Sequence, residues 1–302
     1  MKRKDSMDMA GALGLTGFAV ALAFNQVVIK LSNGGFGPVF GAGLRSLLAL
    51  LVLGVWVWWR GARLGSLRAT LWPGLVLGGL FSLEFILLFT ALDLTTVSRG
   101  SIIFYSMPVS LALIAHFALP GEALSLRRAI GLGLAMGGVV LALTDPSSRT
   151  QGSLLGDVAA LGASWCWAGI ALTVRMTRVS DLPAEGQLFW QLAVSAVVLL
   201  VLAPVMGLLM RAPDAVAWAA MGYGVVVASL GFLFWLHLMT IYPASDVASF
   251  SFLSPVLAVV FGWLVFGEPV GVQFLIALTL VAVGIVLINR RRKPRPPSQP
   301  TV

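Results

Sequence analysis

Ten apolar runs follow one another along the chain, at 11–31, 36–59, 71–92, 97–119, 124–144, 153–174, 187–210, 215–240, 244–266 and 270–289. Short polar breaks separate them. A helix rises about 1.5 Å per residue, so about 20 apolar residues cross a hydrocarbon core of about 30 Å. The pattern predicts an all-α polytopic membrane protein with ten transmembrane helices. The longest segment outside the runs is the tail 290–302, so no soluble domain fits between them.

Composition narrows the class in the same direction. The 302 residues are 59% hydrophobic and 11% charged, with a mean hydropathy of +0.96. Soluble domains carry about 25% charged residues. These values exclude a soluble globule, a disordered chain, a collagen and a disulfide scaffold. The single cysteine, Cys166, lies inside a run, so no intrachain disulfide is expected. Met1-Lys2-Arg3-Lys4 ahead of an apolar run imitates a signal peptide. The run from Gly11 to Leu31 is too long for that and is read as a retained first span. Residues 1–10 are then a short N-terminal segment and 290–302 a basic tail.

Charge gives orientation. Alternate loops place Lys2, Arg3, Lys4, Arg60, Arg63, Arg68, Arg127, Arg128, Arg175, Arg178 and the basic tail on one side. Only Lys30, Arg99, Arg149 and Arg211 fall on the other. The positive-inside rule puts both termini in the cytoplasm. An even number of spans requires the same. The basic tail reads as a topology anchor at anionic headgroups and not as a nucleic-acid site.

Aligned on itself at a shift of about 145 residues, the chain shows two related halves, 11–144 and 152–289. Val28-Ile29-Lys30 meets Thr173-Val174-Arg175, Met107-Pro108 meets Ser254-Pro255, and Leu119-Pro120-Gly121-Glu122 meets Val265-Phe266-Gly267-Glu268. Five spans is an odd number, so the second half lies upside down relative to the first. Inverted repeats place a substrate site near the midplane, between halves that rock against each other.

These residues resemble a known family. Asn25 to Lys30, Arg45, Pro108 and Pro-Gly-Glu at 120–122 mark the first half. Gly152 to Asp157, an Ala/Trp-rich stretch to Ala168, Pro255 and Gly267-Glu268 mark the second. Each half resembles an EamA domain of the drug/metabolite transporter superfamily. The resemblance implies a ten-helix inner-membrane transporter, often an exporter of amino acids or related metabolites. It further implies that spans four, eight and nine line the central cavity. Glu84 is not among the family's marks.

Intramembrane polar residues are the candidate site. Charges in the bilayer pair or face a cavity. Glu84 and Arg45 lie about 12 and 14 Å inside the same edge by helix rise. At matching depth they form an ion pair, or Glu84 faces the cavity to bind an amine or take a proton. Asn25 and Gln26 either bridge helices or bind ligand. Tyr105, Trp235 and Phe252 are candidate cavity residues for a partly apolar substrate, and core packing is the alternative. Pro108 and Pro255 sit about 16 Å into their spans and are candidate hinges. His116 and His237 leave proton coupling open. Glu122 and Glu268 each precede a helix, whose dipole favours a carboxylate there. No metal-ligand spacing and no Walker-type motif occurs, so neither metal nor other cofactor is expected. The expected partners are a small-molecule substrate and the lipid bilayer, with no nucleic acid and with oligomeric state open. An intramembrane enzyme would need a catalytic dyad or an Asp-rich motif, and a channel a row of like charges; neither pattern appears. A multidrug or lipid exporter of the same fold remains the alternative.

Overall fold

The computed structural model describes residues 8–118, 125–144, 152–242 and 253–289. The first half contains α1 (Met9–Gly35), α2 (Pro38–Arg60), α3 (Leu71–Leu94), α4 (Val97–Phe104), α5 (Met107–Ala118) and α6 (Leu126–Thr144). The second contains α7 (Leu154–Met176), α8 (Ala184–Leu202), α9 (Ala215–Val226), α10 (Phe232–Ile241), α11 (Leu253–Phe266) and α12 (Val272–Asn289). Among the described residues there is no strand; Phe36 and Met210 form an isolated bridge. Among the described residues seven helical stretches are long and apolar enough to cross a membrane. Three shorter apolar helices, Ala129–Ala142, Leu253–Phe266 and Val272–Leu287, fall on the fifth, ninth and tenth runs.

Polar residues set the helix starts. Asp8, Thr96, Ser153 and Asp214 accept from backbone amides three residues on, at 2.8–3.1 Å, satisfying donors the helix cannot. Gly61, at φ +60, ends α2 in the left-handed region where a side chain is costly. Large apolar side chains such as Val55, Leu155 and Val201 are 65–70% exposed on the outer faces. In water so much exposed apolar surface would aggregate; against lipid it is the required surface. Trp58, Trp59 and Trp72 are also exposed, near the ends of α2 and α3 where an aromatic belt belongs.

Glycines bring backbones together. A Cβ on Gly138 would lie 2.6 Å from the Ala277 carbonyl oxygen, and one on Gly284 2.5 Å from that of Gly131. The α6–α12 pair therefore packs backbone to backbone. Gly74 and Gly78 admit Trp190 and Val194 of α8, whereas Gly79, Gly133 and Gly137 meet nothing. Small-residue packing is thus intramolecular at four of the glycines and open at the other three.

Two predicted spans are interrupted. The fourth breaks between Phe104 and Met107, and the eighth widens into a π-turn at Val227–Gly231. Such breaks strip backbone groups of their regular partners and mark functional positions in helices.

Candidate functional site

One face of α1 organises the interior. Leu15, Phe18, Ala19 and Leu22 follow the three-and-four spacing of a single helix face. All four line a cavity. Its other walls are Tyr105, Met107 and Pro108 at the α4–α5 break, Trp167 of α7, Trp235 of α10 and Ser254 of α11. Trp235 stacks on Phe18 with ring centroids 6.1 Å apart, and Trp167 stacks on Phe104 at 5.0 Å. By helix rise Leu15 and Leu22 stand about 9 and 20 Å from Met9. The cavity therefore lies in the half of the bundle nearer the Met9 end.

The next turn of α1 is polar. Gln26 Nε2 donates to the Tyr105 hydroxyl at 3.4 Å, and that hydroxyl donates to the Leu22 carbonyl at 3.3 Å. Asn25 Oδ1 and Gln26 Oε1 are buried without a hydrogen-bond partner. Among the described residues that line it, none is charged. The cavity thus offers aromatic walls and hydroxyls, with the spare acceptor of Gln26 one bond away.

The structure brings Tyr105, Trp235 and Pro108 together, and Gln26 through its bond to Tyr105. Asn25 is buried beside them without lining the cavity. Phe252 lies outside the described residues, as does Glu122. Pro255 is buried in the first turn of α11, one residue past the lining Ser254. Phe18, Leu22 and Trp167 were not singled out from sequence. The spacing of 15, 18, 19 and 22 on α1 was the available signal.

Pro108 is not the mid-helix kink the span boundaries predict. The helix has already ended at Phe104, and the Ser106 hydroxyl bonds back to the Ile103 carbonyl at 2.6 Å. Pro108 is the second residue of α5, where a missing N–H costs nothing. Pro108→Ala supplies a donor that lets α4 and α5 join. The expected result is a folded protein whose activity is slowed roughly tenfold, because the break shapes the cavity wall. Rate and expression measured in one preparation check this; a wild-type rate shows that the Ser106 turn alone holds the break.

Arg45 and Glu84 are both buried, at 4% and 5% exposure, but they do not form the expected ion pair. Among the described residues no Arg45 nitrogen lies within 4.0 Å of a Glu84 oxygen. The cause is the geometry of α3. Leu80 and Leu87 pack on Gly169 and Gly162, so the face carrying Glu84 turns toward α7. Arg45 meets the adjacent face, with its guanidinium carbon 4.1 Å from the Phe85 ring centroid and 4.9 Å from that of Phe89. The charges remain within electrostatic reach.

The Gly35 end of the bundle is closed by contacts that cross between the halves of the chain. Glu268 Oε1 accepts from Val97 N at 2.7 Å, and its Oε2 accepts from Ser98 N at 2.8 Å and the Ser98 hydroxyl at 2.5 Å. Arg99 Nε donates to Asp157 Oδ1 at 2.8 Å and Nη2 to Oδ2 at 2.6 Å. Arg211 makes the same two-pronged contact with Asp93, at 2.6 and 2.9 Å. That hydrogen bond raises the Arg211 guanidinium above its ordinary value. Lys30 donates to the Leu92 and Thr95 carbonyls at the end of α3. Backbone bonds from Gly37 to Leu209, Arg211 to Gly35 and Ser153 to Leu94 complete the seal. Each of the three acid contacts takes one partner from each half.

Comparison with known proteins agrees with this architecture. The family model described as the EamA-like transporter family matches twice, over residues 9–144 and 154–290. The chain is similar to YoaV of Bacillus subtilis (strain 168), named an uncharacterized transporter, with 22% identity over 91% of this chain and 95% of YoaV. It is 26% identical to the uncharacterized transporter YvbV of the same organism, over 93% of this chain and 92% of YvbV. A protein crystal structure shares the fold with a TM-score of 0.66 at 20% identity, covering 93% of this chain and 96% of the other.

Proposed function

The chain belongs to the EamA-like transporter family, and from that premise we propose that it is a secondary transporter for a small, partly apolar metabolite. An amino acid or related compound, moved outward, is the favoured cargo. The proposal takes ten spans in two inverted five-helix repeats, in the inner membrane, with both termini cytoplasmic. Three observations support it. The short helices fall on the remaining predicted spans. Ser153, at the start of α7, bonds to Leu94 at the end of α3, so the second half starts at the end opposite Met9. The basic loops gather at the Met9 end.

One observation carries the mechanism. The cavity lies on the Met9 side of the midplane, while the Gly35 side is sealed by bonds between the halves. A transporter shut on one side requires such an arrangement. Transport follows if the halves rock, breaking the Gly35-side contacts while closing around the cargo.

The test is counterflow in proteoliposomes against a panel of amino acids and other metabolites, with and without a pH gradient. Trp235→Ala and Trp167→Ala remove aromatic walls and are expected to weaken apparent affinity about tenfold or more for the transported compound, equivalent to about 1.4 kcal/mol. Counterflow unaffected by either change would overturn the cavity assignment. Stimulation by the pH gradient would establish proton coupling, and its absence would establish facilitated exchange.

A further inference from the structure

A second, smaller space lies farther along the same face of α1, toward the Gly35 end. It is bounded by Ile29 and Ser32 of α1, Arg45 of α2, Phe89 of α3 and Met221 and Gly224 of α9. It is separate from the aromatic cavity; the two lists of lining residues share no member.

Arg45 faces this space in an unusual condition. An arginine is charged at any ordinary pH. The Phe85 and Phe89 rings attract its guanidinium, but rings accept nothing from the N–H groups at its edge. Among the described residues no hydrogen bond or ion pair reaches it, and Nε is fully buried without a partner. The Ser32 hydroxyl, which lines the same space, is also buried and unpartnered. Glu84, the acid within electrostatic reach, is turned toward α7, beside Cys166. A guanidinium taken out of water costs several kcal/mol unless something accepts its hydrogen bonds.

We propose that Arg45 and Ser32 form a binding site for one small monovalent anion, lodged between α1, α2 and α9. The anion takes the edge of the guanidinium and the serine hydroxyl, and Phe89 and Met221 wall it from lipid. Gly224 leaves room for it: a Cβ there would press on Arg45 Cδ at 3.1 Å. Because α1 and α2 come from the first half and α9 from the second, the anion lies at the boundary between the halves. This site goes beyond the transport reading and does not depend on it.

The test uses the full-length purified protein in detergent. Its unfolding temperature is followed while sodium gluconate is replaced at constant ionic strength by chloride, bromide, acetate or benzoate. A saturable rise with chloride and bromide, lost in Arg45→Met, supports a free halide as the occupant. A saturable rise with the carboxylates alone, lost in the same variant, supports the carboxylate end of a cargo. No saturable rise in the native protein, or the same rise in Arg45→Met, overturns the proposal and leaves water as the occupant. If Arg45→Met cannot be recovered folded, Ser32→Ala retains the cation and is expected to raise the half-saturating anion concentration at least threefold. An unchanged half-saturation in Ser32→Ala overturns the proposal equally.

Discussion

Glu268→Ala is expected to abolish most transport by opening the Gly35 end. The carboxylate accepts two backbone amides and a hydroxyl at the first turn of α4. Those amides lack partners within their own helix, and the helix dipole there favours a negative charge. Hydrogen bonds to charged groups contribute about 1.5–3 kcal/mol each. Losing this set removes at least about 3 kcal/mol from the closed arrangement, a population shift of roughly a hundredfold. The readout is the labelling rate of a thiol introduced by Ser101→Cys in a Cys166→Ser background. Ser101 is fully buried one turn below Ser98, so its labelling reports opening of that end. Gly262→Ala makes the same prediction without changing charge, since its Cβ would lie 2.5 Å from Glu268 Oε2 and 2.8 Å from the Ser98 hydroxyl. Glu268→Gln keeps one acceptor oxygen and should fall between. Native labelling and transport in both the alanine variants would show that Glu268 only stabilises a static loop.

The membrane helices were legible because a bilayer span writes itself as a long apolar run, whatever its partners. The interruptions were not. Ser106 and Val227–Gly231 break spans four and eight with residues that are ordinary in apolar helices. At both breaks a serine hydroxyl bonds back to a carbonyl of its own segment, Ser106 to Ile103 and Ser229 to Val225. The candidate cavity was partly legible: Tyr105, Trp235 and Pro108 line it, and Gln26 adjoins it through Tyr105. The seal at the Gly35 end was hardly legible. Glu268 was read as a carboxylate ahead of its own helix, yet it sits at the start of α4, in the other half. Arg99 and Arg211 were counted as loop charges that orient the chain. The structure shows each held two-pronged by an acid from the other half. A helix terminus and a loop charge look alike in sequence whether they face water or each other. Only the docking of the two halves decides.

Arg99 and Asp157 provide the test that separates stability from gating. Their side chains are 8% and 3% exposed, and the contact is bidentate. Removing one partner leaves a buried charge without this bidentate contact, at a cost of about 3–5 kcal/mol, whereas replacing both with apolar groups of similar size is often neutral. Arg99→Met and Asp157→Leu alone are therefore expected to lower the unfolding temperature on the order of 10 °C. The double variant should recover much of that loss, with a coupling of about 2 kcal/mol or more. Transport should not recover with it. Under the proposed rocking of the halves, the native pair is a directional bond to be broken and remade in each cycle. Two apolar side chains at that place are equally stable packed together but have no cost of unpaired charge to time the release. The double variant is thus expected to be nearly native in stability and altered in turnover. Additive losses of stability would show that the residues act independently, and native turnover in a stable double variant would remove the pair from the gate.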